Sequence, residues 1–236
     1  MRLTSLLALA AGALFATSLA AQTPEAAPAA EKPPVKSAPL EVPALEPENT
    51  LHLDLSTGGR VSIQLRPDVA PAHVERIKTL ARQGFYNGVI FHRVIEGFMA
   101  QTGDPTGTGT GGSQLPDMAA ELNTLPHVRG AVSAARATDF NSANSQFFIV
   151  FSPRLTLDGK YSVFGRVVSG MQYVDAIERG EPPANPTRIL RASIGADNVA
   201  PPTAAEAAAM MQIRAPVAAP APAPAAPEPG SATPQL

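Results

Sequence analysis

Between Leu51 and Leu65 apolar and polar residues alternate on both sides of a Ser-Thr-Gly-Gly turn: Leu51, Leu53 and Leu55, then Val61, Ile63 and Leu65. Alternation with a period of two around a glycine pair predicts a β-hairpin with one buried face. The period then changes. In PAHVERIKTLARQG, Val74, Ile77, Leu80 and Ala81 recur at helical spacing between Pro71 and Gly84. This predicts an amphipathic helix with proline at its start and glycine at its stop. No Ser, Thr, Asp or Asn immediately precedes Pro71, so no local cap is evident. Short apolar runs follow: VIFHRVI, FMAQTG, GAVSAAR, SQFFIVF, SVFGRVV and RILRASI. A second helical pattern, GMQYVDAIERG, puts Met171, Val174 and Ile177 on one face and stops at Gly180. Many short strands joined by glycine-rich loops, with two helices, predict a barrel or sandwich rather than a parallel sheet.

The flanks read differently. Residues 1–21 combine a basic start at Arg2, an apolar run from Leu6 to Ala16 and small residues at Ser18 and Ala20. This is the pattern of a secretory signal peptide, cleaved after Ala20 or Ala21. Residues 22–48 form a Pro/Ala-rich linker and residues 198–236 an Ala/Pro-rich tail, both expected to be extended or disordered for want of core-forming side chains. Within that tail, TAAEAAAMMQIR (203–214) predicts a short helix. One globular domain, 49–197, remains. The chain has no cysteine, which suits an oxidising compartment, and a periplasmic location is expected. No later stretch is apolar enough to cross a bilayer, so stable membrane insertion is not expected once the leader is removed.

Several chemistries lack their residues. The net charge of −2 and the absence of lysine or arginine runs argue against nucleic acid. GTGTGG at 107–112 matches a dinucleotide fingerprint, but SQLPD follows it instead of a helix start, so a flexible glycine loop at the domain's rim is the better reading. His52, His73, His92 and His127 form no H-x-x-x-H pair, and neither a metal nor another cofactor is expected. His73 on a helix and His127 in a loop read as solvated; His92 reads as a buried structural histidine. No nucleophile-elbow pattern is present.

What stands out is FHRVIEGFMAQTGD, Phe91 to Asp104, where aromatics and methionine crowd around Arg93 and Gln101. A regular strand would put Phe98 and Ala100 on one face and Met99 and Gln101 on the other. Periodicity therefore does not assemble these residues into one site.

FHRVIEGFMAQTGD, GAVSAARATDFNSANSQFFIVF and LDGKYSVFGRVVSGMQYVDAI together resemble, in order, three long motifs of the cyclophilin family of peptidyl-prolyl cis–trans isomerases. The resemblance spans nearly the whole domain. It implies a mainly β fold: a closed eight-stranded antiparallel barrel capped by two α-helices. It implies that Arg93 is the catalytic arginine and that Gln101 holds the peptide backbone. Phe98, Met99, Phe148 and Leu157 would surround the substrate proline, with Gln146 supporting the site. Ala135 and Arg136 would lie on the strand that pairs with the bound peptide.

This chain departs from many eukaryotic members at a few positions. Thr156 stands where they have tryptophan, so the resemblance does not carry tight cyclosporin binding. Tyr161 replaces their active-site histidine, Arg136 an asparagine and Ala134 a methionine, changes expected to alter sequence preference more than chemistry. The implied function is acceleration of folding of exported proteins by isomerisation of X-Pro bonds, with proline-containing segments of unfolded or partly folded proteins as partners. The alternative is a proline-peptide-binding module or holdase with little turnover. A monomer is expected.

Overall fold

The structure, a computed structural model, describes residues 31–39 and 44–212. The expected signal peptide and the outer parts of both flanks lie outside the described residues. Among the described residues eight strands are formed: β1 (Thr50–Leu55), β2 (Gly59–Leu65), β3 (Arg93–Ile95), β4 (Met99–Thr102), β5 (Ala131–Ala134), β6 (Phe147–Val150), β7 (Val163–Ser169) and β8 (Ile189–Ile194). Three α-helices accompany them: α1 (Pro71–Arg82), α2 (Met171–Asp175) and α3 (Ala204–Gln212).

The strands make one antiparallel sheet in the order β3-β4-β6-β5-β7-β2-β1-β8. The hairpin forms in the register that alternation requires, with Leu51 opposite Ile63 and Leu53 opposite Val61. These residues, with Phe91, Val132, Phe147, Ile149 and Phe164, fill the interior core. Phe147 meets Tyr86 edge to face at 5.7 Å and Phe164 at 6.1 Å, the geometry that the ring quadrupole favours.

The expected closure is only partial. β3 and β8 end the sheet without pairing, so it is a curled half-barrel rather than a closed barrel. Irregular chain spans the seam: Gly88 N–H donates to the Ile189 carbonyl (2.7 Å), Ile189 N–H to Val89 (2.9 Å) and Phe91 N–H to Thr187 (2.9 Å). These bonds satisfy exposed strand edges without a continuous ladder.

Helix α1 begins at Pro71, and its missing cap comes from afar. The Glu121 carboxylate accepts from the backbone N–H of Ala72 (3.1 Å) and His73 (2.9 Å), groups that a helix leaves unpaired at its start. It also bonds the His73 ring at 2.6 Å. His73, expected on the surface, is 1% exposed. Helix α2 is shorter than the GMQYVDAIERG pattern predicts, and beyond its end the Arg179 guanidinium folds back and donates to the carbonyls of Asp175 and Ile177. Helix α3 starts with a reciprocal box: Glu206 N–H to the Thr203 hydroxyl at 3.3 Å, and Thr203 N–H to the Glu206 carboxylate at 2.7 Å. Residues 31–39 of the expected linker are extended but fastened to the domain. Lys36 N–H donates to the Leu122 carbonyl (2.8 Å), and Thr124 N–H donates to the Lys36 carbonyl (3.0 Å).

His127, expected to be solvated in its loop, is also wholly buried. Its Nδ1 lies 2.8 Å from Asp158 Oδ1 and its Nε2 lies 3.1 Å from the Ser133 hydroxyl. A neutral ring donating from Nδ1 and accepting at Nε2 satisfies all three groups. This is a Ser-His-Asp array, yet Ser133 is fully buried, so no substrate reaches it. His92 is buried as expected, and neither ring nitrogen has a protein partner among the described residues.

Burial pushes the His127 pKa below its ordinary 6.5, against the opposing pull of Asp158. Burial likewise lowers that of His92, with Asp104 opposing and Arg93 reinforcing the shift. Both rings thus remain neutral where the unfolded chain would protonate them. Their contribution to stability is complete above the ordinary histidine pKa and is lost as pH falls through and below it. The denaturation midpoint is expected to be lower at pH 5 than at pH 7.5. Equal midpoints in a denaturant titration at the two pH values would contradict this.

Candidate functional site

The sheet register assembles the site. Residues directly opposite one another in an antiparallel ladder project from the same face. Arg93 on β3 is opposite Gln101 on β4, Gln101 is opposite Phe148 on β6, and Phe148 is opposite Ser133 on β5. One row across four strands therefore aligns a cation, an amide and an aromatic ring. Met99, two residues before Gln101, pairs with Val150 and joins the same outer face. Alternation along β6 sends Phe147 into the interior core and Phe148 to the outer cluster. Phe98 escapes the alternation problem because β4 begins at Met99. It sits in the preceding turn, held by Phe98 N–H to the Ile95 carbonyl (3.1 Å) and Phe151 N–H to the Phe98 carbonyl (2.8 Å).

These side chains surround a hollow of about 140 Å³. Phe98, Met99, Phe148 and Leu157 supply its apolar lining, while Arg93 and Gln101 line it from β3 and β4. Ala135, Arg136 and Tyr161 complete the set. Gln146 lies outside this hollow, in a neighbouring one of about 490 Å³ that shares Gln101, Ala135 and Arg136 with it.

One expectation changes here. Ala135 and Arg136 lie just beyond β5, which ends at Ala134, and Ala135 N–H is already given to the Gln146 carbonyl at 2.9 Å. Arg136 is not a free charge. Its guanidinium lies 4.3 Å from the Phe140 ring centre and 4.7 Å from that of Tyr161. Its terminal nitrogens donate to the carbonyls of Ala137 (2.8 Å), Thr138 (3.0 Å) and Lys160 (2.9 Å). It braces Tyr161, which meets Phe148 edge to face at 5.9 Å.

The residues behind the site escaped sequence reading. His127 stacks on Phe148 with ring centres 6.1 Å apart, so the buried Ser-His-Asp array backs the apolar hollow. The glycine loop is not loose, either. Asp104, fully buried, accepts at Oδ1 from Thr106 N–H (2.7 Å) and at Oδ2 from the N–H groups of Gly109 (2.7 Å) and Gly111 (3.0 Å). Burial alone would raise the Asp104 pKa; these donors outweigh it and hold the group below the ordinary carboxylate value. A Cβ on Gly111 would stand 2.3 Å from Asp104 Oδ1, so the close approach requires glycine. The fixed loop turns the Gly109 and Gly111 carbonyls toward Gln146, whose Nε2 donates to them at 3.0 and 2.8 Å. Gln146 Oε1 in turn accepts from Gln101 Nε2 at 2.9 Å. Arg93 Nε donates to Glu181 Oε2 at 2.6 Å, across 88 residues of sequence. Asp104 closes the FHRVIEGFMAQTGD motif and was visible there, whereas nothing local marks Glu181. Among the described residues no group of three or more His, Asp or Glu side chains is arranged to hold a metal ion.

Known proteins share this architecture. A family model described as cyclophilin type peptidyl-prolyl cis-trans isomerase/CLD matches residues 52–194. A probable peptidyl-prolyl cis-trans isomerase of Brucella suis is 51% identical over 170 residues, covering 65% of this chain and 86% of that protein. The peptidyl-prolyl cis-trans isomerase-like 1 of Aspergillus niger is 40% identical over 144 residues, covering 58% of this chain and 89% of its own. Among solved structures, the cyclophilin AquaCyp293 of Hirschia baltica superposes with a TM-score of 0.61 at 29% identity, covering 66% of this chain and 77% of that one. A cyclophilin-type isomerase of Cryptosporidium parvum, determined in the presence of the dipeptide Ala-Pro, gives a TM-score of 0.58 at 29% identity and covers 61% and 98%.

The Asp104 relay has a direct test. In Asp104→Asn one carboxylate oxygen becomes a donor facing donors, so the loop loosens and Gln146 loses its carbonyl partners. The variant is expected to lose about 1–3 kcal/mol of stability. Its Gln101 and Gln146 side-chain amide signals should broaden in nuclear magnetic resonance spectra. Unchanged amide signals would show that the loop does not orient these glutamines.

Proposed function

The chain belongs to the cyclophilin-type peptidyl-prolyl cis-trans isomerases, and from that membership we propose that Arg93 and the hollow beside it isomerise X-Pro bonds in exported proteins. The observation that carries the site assignment is the row Arg93–Gln101–Phe148, which sets a guanidinium and an amide against an apolar hollow of ring size.

The chemistry breaks no covalent bond. The barrier is the partial double-bond character of the amide, about 18–20 kcal/mol. Turning the bond by a quarter removes the resonance, makes the proline nitrogen pyramidal and raises its power to accept a hydrogen bond. A guanidinium donor aimed at that nitrogen stabilises the twisted state more than either planar form, which is the requirement for catalysis. Arginine suits the role because its charge is permanent and its planar fork holds direction. Phe98, Met99, Phe148 and Leu157 grip the ring and exclude water, while Gln101, turned by Gln146, engages the neighbouring backbone. One side of the bond is anchored and the other turns.

A millionfold acceleration requires about 8 kcal/mol. One hydrogen bond to a charged group supplies about 1.5–3 kcal/mol. Desolvation and positioning carry the remainder, which is why the packing behind Phe148 and the glutamine relay matter. The second reading, a binding module with little turnover, lacks a reason for a guanidinium aligned with the hollow.

Export is part of the proposal. Its support is the leader pattern of residues 1–21 and the absence of cysteine. Proline-bearing segments of newly exported chains would be the substrates, and the cleaved protein would act in the periplasm as a folding catalyst. Among the described residues no helix is long and apolar enough to cross a membrane.

Two outcomes are expected. Arg93→Ala should lower kcat/KM for a proline test peptide by about tenfold to a hundredfold, roughly 1.4–2.7 kcal/mol, with an unchanged unfolding midpoint. An equally active folded variant would remove Arg93 from catalysis; peptide binding without faster exchange in the wild-type protein would favour the binding module. In a producing bacterium, the protein should fractionate with the periplasm and begin at Ala21 or Gln22. A cytoplasmic protein that retains Met1 would contradict export.

A further inference from the structure

We infer that Glu181 is a positioning residue for Arg93: it fixes the plane of the guanidinium so that the terminal nitrogens face the substrate. This rests on the reading of Arg93 given above and adds a residue that lies outside all three sequence motifs.

The first observation is where the carboxylate binds. Glu181 Oε2 accepts from Nε of Arg93 at 2.6 Å, and the two terminal nitrogens have no hydrogen-bond partner among the described residues. A carboxylate on the terminal nitrogens would compete with a peptide for the same donors. On Nε it leaves them available and restrains rotation of the fork.

The second observation is how Glu181 is held. Three consecutive residues run antiparallel to β3 and the turn beyond it. Arg179 Nε donates to Glu96 Oε2 at 2.7 Å, Gly180 exchanges backbone hydrogen bonds with Val94 at 2.8 and 2.9 Å, and Glu181 meets Arg93. Arg179 also lies over the Phe151 ring, 4.4 Å from its centre. Gly180 has φ +146°, and a Cβ there would stand 2.6 Å from Pro183 Cα, so the backbone that delivers Glu181 depends on glycine. The pair is therefore presented by a zipped segment next to the catalytic strand, not by two wandering surface chains.

The third observation is the exposure of the guanidinium. Arg93 is 42% exposed and Glu181 51%. No aromatic ring is stacked on the Arg93 guanidinium among the described residues, in contrast to Arg136, Arg154 and Arg179. Without Glu181 the fork would rotate among several orientations. An ion pair this exposed contributes little to folding, so its removal separates positioning from stability.

The test uses the full chain and a proline test peptide, with wild type, Arg93→Ala, Glu181→Ala, Glu181→Gln and the double alanine variant. Glu181→Ala is expected to lower kcat about threefold to tenfold with KM changed by less than about twofold. Glu181→Gln keeps an acceptor for Nε and should recover most of the loss. The Arg93 Nε–H signal, resolved in nitrogen-15 spectra of the wild type, should move toward that of a free arginine in Glu181→Ala and return in Glu181→Gln. In the Arg93→Ala background, adding Glu181→Ala should have no further effect. Wild-type or higher kcat in Glu181→Ala overturns the inference, as does a glutamine variant as slow as the alanine variant. An inactive Arg93→Ala beside a fully active Glu181→Ala sinks only this inference; an active Arg93→Ala sinks the reading beneath it.

Discussion

The strand register of β3, β4, β6 and β5 is the constraint from which the site follows. A shift by one residue in any of these ladders turns every side chain of that strand to the opposite face. Gln101 would then point into the core and Ala100 outward; Phe148 would trade places with Phe147. The interior prevents this. Ala100, Val132, Phe147 and Ile149 are all buried in one apolar cluster, so a slip would expose them while burying an amide and leaving its polar atoms unpaired. The outer face, which carries the candidate site, is thus set by the inner face, which carries none of it.

Behind that outer face lies a layer of polar groups whose task is orientation. Asp104 holds a loop, the loop turns Gln146, and Gln146 turns Gln101. On the other side Asp158 and Ser133 hold His127 flat against Phe148. Such buried networks are expensive unless every member is satisfied, and these members are satisfied by one another. Isomerisation asks little of the protein in bond chemistry and much in placement. The investment in satisfied polar atoms around a few exposed side chains matches that demand.

The sequence was most informative where periodicity was unbroken. The β1–β2 hairpin and helix α1 were legible from alternation and helical spacing, because each buries its own apolar face. The candidate site residues could be grouped by resemblance alone. Phe98 and Gln101 could not be joined by period because the strand starts one residue later than FMAQTG suggests, which frees Phe98 into a turn. His73 and His127 were misread as solvated, since their carboxylate partners lie 48 and 31 residues away. Glu181 was invisible for the same reason, its partner being 88 residues distant. Barrel closure was overestimated because β3 and β8 meet only through irregular chain, a detail without a pattern in the sequence.

The borrowed cap on helix α1 bears on how this domain reaches its native state. The first turn of the helix is completed by a carboxylate 48 and 49 residues downstream, so local sequence cannot finish it. Completing that turn requires Glu121 and the closure of a long loop, a step whose entropic penalty precedes any reward. The start of this helix therefore waits on the middle of the chain. A peptidyl-prolyl isomerase thus carries a long-range step in its own folding.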